Sequence, residues 1–236
     1  NIAPLGAINV HAGMLPRFRG GSILNWTLIS GEQEMGITVH RMDAAIDSGD
    51  ILLQSVVKLD LEDTYGSALA KVQAVVPSLL LDALDLIGEG DAVGLVQDNS
   101  QATYYSRRRD GDEIIDWTSS SLDLFNFVRG LTHPGPGALT FKGLLPVRIW
   151  ETSLTSSGPY LGIPGAILAV LPGVGVKIKT GDSDLLIKKI QLGDSHDEFV
   201  PTFSPAVRLE TNRTSYRIAK LEHEILSLQN SLHGIS

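Results

Sequence analysis

Asn9 and His11 lie two positions apart in an apolar segment that is typical of a short strand. Because alternate side chains of a strand point to the same face, we expect the amide and the imidazole to lie side by side. An Asn amide can stabilise a developing oxyanion, and His is the usual acid–base group near neutral pH. Asp47 follows 36 positions after His11 in a turn-like segment, and its carboxylate could stabilise positive charge on the imidazole and fix its tautomer. Spacing alone favours the other interpretation, a structural histidine bonded to a backbone carbonyl and an Asx turn at the aspartate, because single His and Asp residues are usually structural.

Three consecutive arginines, Arg107, Arg108 and Arg109, follow a pair of tyrosines that begins at Tyr104. Guanidinium groups match the oxygens of phosphates, so this segment could hold a diphosphate. Three acidic residues follow within the next four positions, and they would equally balance a solvated run of arginines. Both interpretations stay open on the residues alone.

The remaining histidines predict no metal site, because their spacing is not that of metal ligands. We expect these residues to be structural or exposed: His40, His133, His196, His223 and His233. The glycine-containing segments at 162–165 and 173–175 are interpreted as turns. Neither follows a strand and opens a helix as a dinucleotide-binding loop does.

The first hundred residues show the pattern of an α/β domain. Predicted strands occupy residues 7–11, 36–42 and 51–57, and a short helix occupies residues 23–29. A longer helix begins after Asp63 or Thr64, where a side chain can cap it, and ends at Gly88 and Gly90. Pro77 lies within the apolar periodicity of this helix and should kink or split it.

The second half of the chain is richer in strands. We predict a linker over residues 104–118, which separates a catalytic domain at 1–103 from a C-terminal domain at 119–236. The C-terminal domain would begin with a helix to about residue 131 and close with a helix at 211–232. Five short strands are predicted between these helices, at residues 138–142, 146–152, 165–171, 174–179 and 184–192. Short strands at this spacing favour a small barrel or sandwich.

The composition excludes several classes of protein. The chain has 236 residues, of which 43% are hydrophobic and 19% charged, and this balance excludes an intrinsically disordered chain. It has no cysteine, which excludes disulfides and thiolate catalysis. No apolar run reaches 18 uncharged residues and the opening residues lack the pattern of a secretory signal, so we expect a cytoplasmic protein without a membrane-spanning helix. The net charge of −8 disfavours a chain that binds polyanions.

Short motifs with chemical meaning are spread over nearly the whole chain. They are Asn9-Val10-His11, Leu15-Pro16, Arg19-Gly20, residues 36–39, Asp47-Ser48-Gly49-Asp50-Ile51, residues 114–117 and residues 134–138. In this combination they resemble the formyltransferase family that uses 10-formyltetrahydrofolate. The resemblance implies an α/β fold, in which the C-terminal part of a Rossmann-like formyltransferase domain is followed by a small β-rich, OB-like barrel.

The resemblance also implies roles for particular residues. By the family's pattern Asn9, His11 and Asp47 would be catalytic, and 10-formyltetrahydrofolate would be the co-substrate that supplies the formyl group. His11 would accept the proton of the attacking amine or polarise the formyl oxygen, Asn9 would stabilise the oxyanion, and Asp47 would orient the imidazole. The folate-binding loop, whose backbone would face the pterin, would comprise Met42, Asp43, Ala44, Ala45 and Ile46.

The chain departs from the family's pattern in two places. Gly13 stands where the family has a serine, and we expect the loss of that hydroxyl to loosen the loop. The βαβα segment that opens the family's catalytic domain is missing ahead of Asn1, and we expect further residues there.

The family divides on the acceptor amine, among an initiator tRNA, nucleotide-linked amino sugars and small amines. Residues 151–236 hold eight Lys and Arg against nine Asp and Glu, whereas a tRNA-binding domain should be clearly basic. We therefore expect a small sugar nucleotide, held by Tyr104 and the arginines at 107–109, with methionyl-tRNA as the alternative. A homodimer is compatible with this expectation. The alternative from another class of function is a non-catalytic remnant that binds folate or a nucleotide.

Overall fold

The chain folds as two compact units of mixed helices and strands, Asn1–Arg109 and Asp110–Ser236. A computed structural model describes residues 6–156 and 161–211 without a gap, together with residues 3, 158, 214, 217, 218, 220–222, 224, 225 and 229. The division between the units falls within the segment predicted as a linker, residues 104–118.

A three-stranded antiparallel sheet forms the centre of the first unit. In chain order this unit contains β1 (Ile8–His11), β2 (Arg19–Gly20), α1 (Ile23–Ile29), β3 (Glu34–Arg41), β4 (Ile51–Lys58), α2 (Tyr65–Glu89) and β5 (Tyr104–Tyr105). The sheet has the order β1-β3-β4, and its register places Asn9 opposite His40 and His11 opposite Thr38. A Rossmann-like arrangement of the whole domain stays a prediction.

The core of the first unit lies between this sheet and its helices. Its most deeply buried side chains are Leu28 from α1, Ile37 and Val39 from β3, and Ala68 and Ala83 from α2. The β-branched residues of β3 suit a buried strand, because their stiff side chains pack well on a pleated surface. The ends of β1 and β3 that carry the candidate site are thus attached to a packed scaffold.

α2 is one continuous helix of 25 residues. Thr64 caps its first turn by accepting a hydrogen bond from the Ser67 backbone, while the Ser67 hydroxyl accepts one from the Thr64 backbone. Gly90, at φ 81, ends the helix in the left-handed conformation that favours glycine. Pro77 lies inside the helix, so the prediction that it splits the helix is wrong. Apolar residues on both sides of the proline pack in the same core. A kink at Pro77 stays a prediction.

Among the described residues, one helix, α2, is long and apolar enough to cross a membrane by length and composition alone. Its residues Ala68, Val72, Leu79 and Ala83 are buried in the core of the first unit. A single helix of this kind is weak evidence for a membrane location, because core helices have the same composition.

A short parallel pair of strands, β2 and β5, ties the segment that follows His11 to a distant part of the first unit. Arg19 pairs with Tyr104, and Gly20 pairs with Tyr105. Gly20 has φ 106, and a Cβ at this position would lie 2.1 Å from the carbonyl oxygen of Tyr105. Only glycine fits at this contact.

The second unit is a helix on a five-stranded antiparallel sheet. It contains α3 (Ser121–Leu131), β6 (Ala138–Lys142), β7 (Leu145–Leu154), β8 (Ile167–Leu171), β9 (Gly175–Lys179) and β10 (Asp184–Leu192). The strand order is β6-β7-β10-β9-β8, and α3 packs on β7. Residues 207–210 bridge to Ala166, just before β8, and to Phe141 in β6, so this segment lies between the two edge strands. An OB-like barrel stays a prediction.

The predicted C-terminal helix at 211–232 lies mostly outside the described residues. The residues that are described between 214 and 229 are helical.

Candidate active site

His11 lies at the end of β1 with only 7% of its surface exposed. Its Nε2 atom is 2.6 Å from the carbonyl oxygen of Phe18. A carbonyl only accepts hydrogen bonds, so Nε2 carries the hydrogen and donates it. The other ring nitrogen, Nδ1, is 3.6 Å from Oδ2 of Asp47. Nδ1 is therefore the ring atom of His11 that remains to take or give a proton.

Asp47 lies in the turn between β3 and β4 in an unusual backbone conformation. Its φ is 50, in the left-handed region that most residues other than glycine avoid. The backbone N–H of Gly20 donates a hydrogen bond of 2.9 Å to Oδ2, the same oxygen that faces His11. Strained backbone of this kind persists only where neighbouring groups hold it, and it is concentrated at functional sites.

His40, in β3, belongs to this site, although its spacing in the sequence predicted only a structural or exposed residue. It is buried, with 2% of its surface exposed, and its Nε2 lies 3.6 Å from Oδ1 of Asp47. The same atom is 3.3 Å from the side-chain nitrogen of Asn9, which faces it across the antiparallel pair. The carboxylate of Asp47 therefore contacts two imidazoles. The contact of Asp47 with His40 depends on the register of β1 against β3, which places His40 opposite Asn9. The spacing of these residues along the chain does not indicate that register.

The hydrogen bonds of His40 determine how Asn9 is oriented. Nδ1 of His40 is 2.8 Å from the carbonyl oxygen of Arg41, so this nitrogen donates. In the neutral ring, Nε2 then accepts a hydrogen bond from the amide of Asn9. This contact leaves the second N–H of that amide for another acceptor, as an oxyanion would require.

Gly13 makes the close approach between His11 and Phe18 possible. A Cβ at position 13 would lie 2.7 Å from Nε2 of His11 and 2.7 Å from the carbonyl oxygen of Phe18. The carbonyl oxygen of Gly13 accepts a hydrogen bond of 2.7 Å from the hydroxyl of Thr38. The loop thus packs directly on the imidazole, and the expectation that it is looser without the serine hydroxyl stays a prediction.

The predicted folate-binding loop is an exposed turn next to this cluster of side chains. All five of its residues, Met42, Asp43, Ala44, Ala45 and Ile46, are exposed. Asp43 accepts hydrogen bonds from the Ala45 backbone and the Ser48 hydroxyl, which stabilise the turn from within. The apolar side chains of Met42 and Ile46 are 59% and 64% exposed, and they offer a surface against which a flat heterocycle can pack.

The arginine run lies in the first unit, and its members differ in environment. Arg107 and Arg109 are exposed, whereas Arg108 is partly buried, with its guanidinium 5.4 Å from the centre of the Trp26 ring. Tyr104 is 62% exposed, and its hydroxyl accepts a hydrogen bond of 2.7 Å from Arg19. Arg108 is thus packed against the first unit, while the side chains of Arg107 and Arg109 are exposed.

Two buried residues, Arg19 and Gln97, connect parts of this site that are far apart in the sequence. Arg19 is 1% exposed and Gln97 is 6% exposed. The Gln97 amide donates hydrogen bonds to the backbone carbonyls of Asp47 and Gly49. Arg19 was recognisable in the sequence only as half of an Arg-Gly motif, and no local pattern distinguishes Gln97.

Among the described residues, no group of three His, Cys, Asp or Glu side chains could hold a metal ion. A separate cavity of about 420 Å³ lies in the second unit, lined by residues that include Trp117, Ile163, Arg208 and Glu210. The lining residues of this cavity belong to the second unit, whereas His11, His40 and Asp47 belong to the first.

Comparisons with known proteins also divide the chain into an N-terminal and a C-terminal part. A family model described as formyl transferase matches residues 1–84. A second model, described as formyl transferase, C-terminal domain, matches residues 108–200. The methionyl-tRNA formyltransferase of Desulforamulus reducens is 35% identical over 202 residues, which make up 86% of this chain and 63% of that protein. The chain therefore spans less than two thirds of the length of this relative.

Two solved structures show a similar fold. One is an N-formyltransferase from Helicobacter canadensis in complex with folinic acid and dTDP-3-aminofucose, with a TM-score of 0.63 and 18% identity over 77% of this chain and 65% of that one. The other is HypX from Aquifex aeolicus in complex with tetrahydrofolic acid, with a TM-score of 0.60 and 21% identity over 81% of this chain and 33% of that one. At these identities the likeness concerns the fold alone.

Proposed function

Because the chain belongs to the formyltransferase family, we propose that it transfers a formyl group from 10-formyltetrahydrofolate to the amino group of an acceptor. The observation that carries this proposal is the contact of one carboxylate, Asp47, with two buried imidazoles, next to an oriented amide. Such a cluster combines a proton acceptor, a charge that stabilises its protonated form, and a donor for an oxyanion.

The residues of the folate loop suit a reduced folate. The loop at 42–46 is exposed, and Met42 and Ile46 offer apolar surface to a pterin ring while the backbone of the turn offers polar groups. 10-Formyltetrahydrofolate, when bound, would supply an electrophilic formyl carbon to the acceptor amine.

Each side chain of the cluster has a distinct part in the proposed reaction. The amide of Asn9, oriented by His40, donates its remaining N–H to the oxyanion that develops on the formyl oxygen. His11 takes the proton that the amine loses, at Nδ1, because Nε2 is hydrogen-bonded to Phe18. The bond between the formyl carbon and N10 of the folate would then break, and His11 would return that proton to N10 of the leaving tetrahydrofolate. Asp47 stabilises the positive charge on that ring. The contact of 3.6 Å is longer than a direct hydrogen bond, and catalytic contacts commonly shorten when the substrate is bound.

For the acceptor we propose an amino sugar carried on a nucleotide. The second unit, residues 110–236, contains eleven Lys and Arg against fourteen Asp and Glu, so it lacks the positive charge that a tRNA-binding domain uses. In the first unit, the exposed Arg107, Arg109 and Tyr104 supply the donors that a diphosphate requires. The similar Helicobacter canadensis enzyme was solved with a sugar nucleotide of this kind.

Methionyl-tRNA is the second candidate acceptor. It is favoured by the 35% identity to the methionyl-tRNA formyltransferase of Desulforamulus reducens, which exceeds the identity to the sugar-nucleotide enzyme. The charge of the second unit opposes it.

The two acceptors are distinguished by formyl-transfer assays with 10-formyltetrahydrofolate and each acceptor in turn. Turnover of an amino-sugar nucleotide without formylation of methionyl-tRNA would support the proposed acceptor. Efficient formylation of tRNA that weakens steeply with salt would support the second candidate. Binding of a folate analogue without turnover of either acceptor would indicate a non-catalytic binding protein.

A further inference from the structure

We propose that Gln97, held by the buried Arg19, is a positioning residue. It fixes the turn between β3 and β4 that carries Asp47, here called the Asp47 turn, against His11. This inference rests on the proposed function of the site. It assigns a role to two side chains that touch neither reacting group, and it follows from a chain of hydrogen bonds between residues 78 positions apart in the sequence.

Arg19 is a fully buried cation whose hydrogen bonds go to neutral oxygens. Among the described residues, these acceptors are the side-chain carbonyls of Gln97 and Asn99 and the hydroxyl of Tyr104. Gln97 receives two of the bonds, from Nε at 3.2 Å and from a terminal nitrogen at 2.7 Å. Leaving the donors of a buried guanidinium unpaired would destabilise the folded protein. We therefore expect these contacts to be strongly maintained.

The contact with Arg19 fixes the orientation of the Gln97 amide. A guanidinium only donates hydrogen bonds, so the amide oxygen of Gln97 must face it. The amide nitrogen must then point the other way, where it donates to the carbonyl oxygens of Asp47 at 2.9 Å and Gly49 at 2.7 Å. Arg19 thus determines which end of Gln97 meets the turn.

The Asp47 turn needs such support because its backbone is constrained at both residues that Gln97 contacts. Asp47 is in the left-handed conformation, with φ 50. Gly49 passes so close to the carbonyl oxygen of Arg41 that a Cβ would lie 1.9 Å from it. Residues 19 and 20 hold Asp47 from two sides, because Gly20 binds its carboxylate and Arg19 acts on its backbone through Gln97. A displacement of the carboxylate of about 1 Å from His11 would lower the rate substantially.

A matched pair of variants distinguishes a positioning role of Gln97 from a contribution to the stability of the fold alone. Gln97→Glu keeps an acceptor for Arg19 but removes the donor to the Asp47 turn. Asn99→Asp places the same new charge beside Arg19, but Asn99 accepts a bond from the guanidinium and, within the described part of the chain, has no side-chain hydrogen bond to the turn. We expect Gln97→Glu to lower kcat about 10- to 100-fold with little change in the KM for 10-formyltetrahydrofolate, and Asn99→Asp to retain kcat within about twofold. In an Asp47→Asn background, Gln97→Glu should lower kcat no further.

A second readout does not depend on activity. NMR signals of the His11 ring nitrogens should change in Gln97→Glu and stay unchanged in Asn99→Asp. Gln97→Met, which is similar in size and has no donor, should reproduce the change. If the wild-type chain transfers no formyl group, the proposed function is wrong. The comparison of His11 ring signals among the variants still tests whether Gln97 positions the Asp47 turn. Wild-type kcat and wild-type ring signals in a folded Gln97→Glu variant would contradict the inference. Unfolding of both Gln97 variants would also contradict it, because Gln97 would then have a purely structural role.

Discussion

The imidazole rings of His11 and His40 lie 6.3 Å apart and nearly perpendicular to each other, at 84°. Each ring presents a nitrogen to a different oxygen of the same carboxylate, that of Asp47, at 3.6 Å. One histidine is positioned by the Phe18 carbonyl, and the other orients Asn9. The site is thus a four-residue cluster in which the roles of the two histidines differ.

Replacing His40 should impair the reaction without removing a group that touches the substrate. His40→Leu removes the acceptor that orients the Asn9 amide, so the oxyanion loses a preorganised donor. We expect kcat to fall about tenfold or more, with a small change in the KM for 10-formyltetrahydrofolate. Steady-state kinetics of the purified variant measure both quantities. His196→Ala serves as the control, because this histidine is exposed in the second unit, and it should have wild-type kinetics.

Gly13→Ala should damage both the fold and the site. The added methyl group would overlap Nε2 of His11 and the Phe18 carbonyl, so one of them must move. We expect a loss of roughly 1–3 kcal/mol in the free energy of unfolding, as for an overpacked core, together with a lower kcat. Gly88→Ala in α2 is the matched control, because a Cβ there meets no atom within 4 Å. It should leave kcat unchanged and stabilise the helix by up to about 1 kcal/mol. Equal stability and activity of the two variants would show that the loop has room at Gly13.

The arginine run predicts that substitutions change the KM for one substrate and leave the KM for the other unchanged. Arg107→Ala and Arg109→Ala remove exposed cations, so at least one should raise the KM for the sugar nucleotide and leave the KM for folate unchanged. Arg108→Ala removes a guanidinium that packs on Trp26, and it should lower the melting temperature as well. Three variants that change only stability would support the interpretation of a solvated run.

Acid should weaken the start of α2 through Asp63. Burial alone would raise the pKa of Asp63, but hydrogen bonds from Lys71, Ser67 and the Asp60 backbone, with the charge of Lys71, lower it below its ordinary value of 3.8. A carboxyl with a lowered pKa stabilises the folded state fully above that ordinary value, and the contribution is lost as the pH falls through the pKa in the folded protein. Asp63→Asn should therefore cost roughly 1–3 kcal/mol at pH 7.

This difference in unfolding free energy between Asp63→Asn and the wild type should shrink below pH 3.8. Urea denaturation at several pH values measures it. The control is Asp60→Asn, whose side chain is 85% exposed and which should change stability by less than about 0.5 kcal/mol at any of them. A difference that does not vary with pH would exclude the ionised carboxylate as its cause.

Local patterns were sufficient to predict β1, α1, β3, β4 and the caps of α2, because amphipathic periodicity and capping residues are properties of neighbouring positions. They failed at Pro77, where packing of both halves of α2 on one core outweighs the local preference against proline. The prediction of five strands in the second half was confirmed, since turn residues separate them clearly in the sequence.

The candidate site was only partly accessible from the sequence. The proximity of His11 to Asp47 followed from a resemblance, whereas the part played by His40 depends on the register of two antiparallel strands. The contact between Arg19 and Gln97 joins residues 78 positions apart. Its existence depends on how the whole first unit folds, so no motif in either segment could indicate it.

Asp47→Asn tests most directly whether Asp47 acts on His11 in formyl transfer. The amide keeps the size of the side chain but loses the charge that faces Nδ1 of His11 and Nε2 of His40. The measurement is kcat for formyl transfer from 10-formyltetrahydrofolate, in a variant whose folding is verified by circular dichroism. We predict a loss on the order of 10²-fold or more with folate binding nearly unchanged. Near-normal kcat in the folded variant would contradict the account and leave Asp47 with only a structural role in its turn.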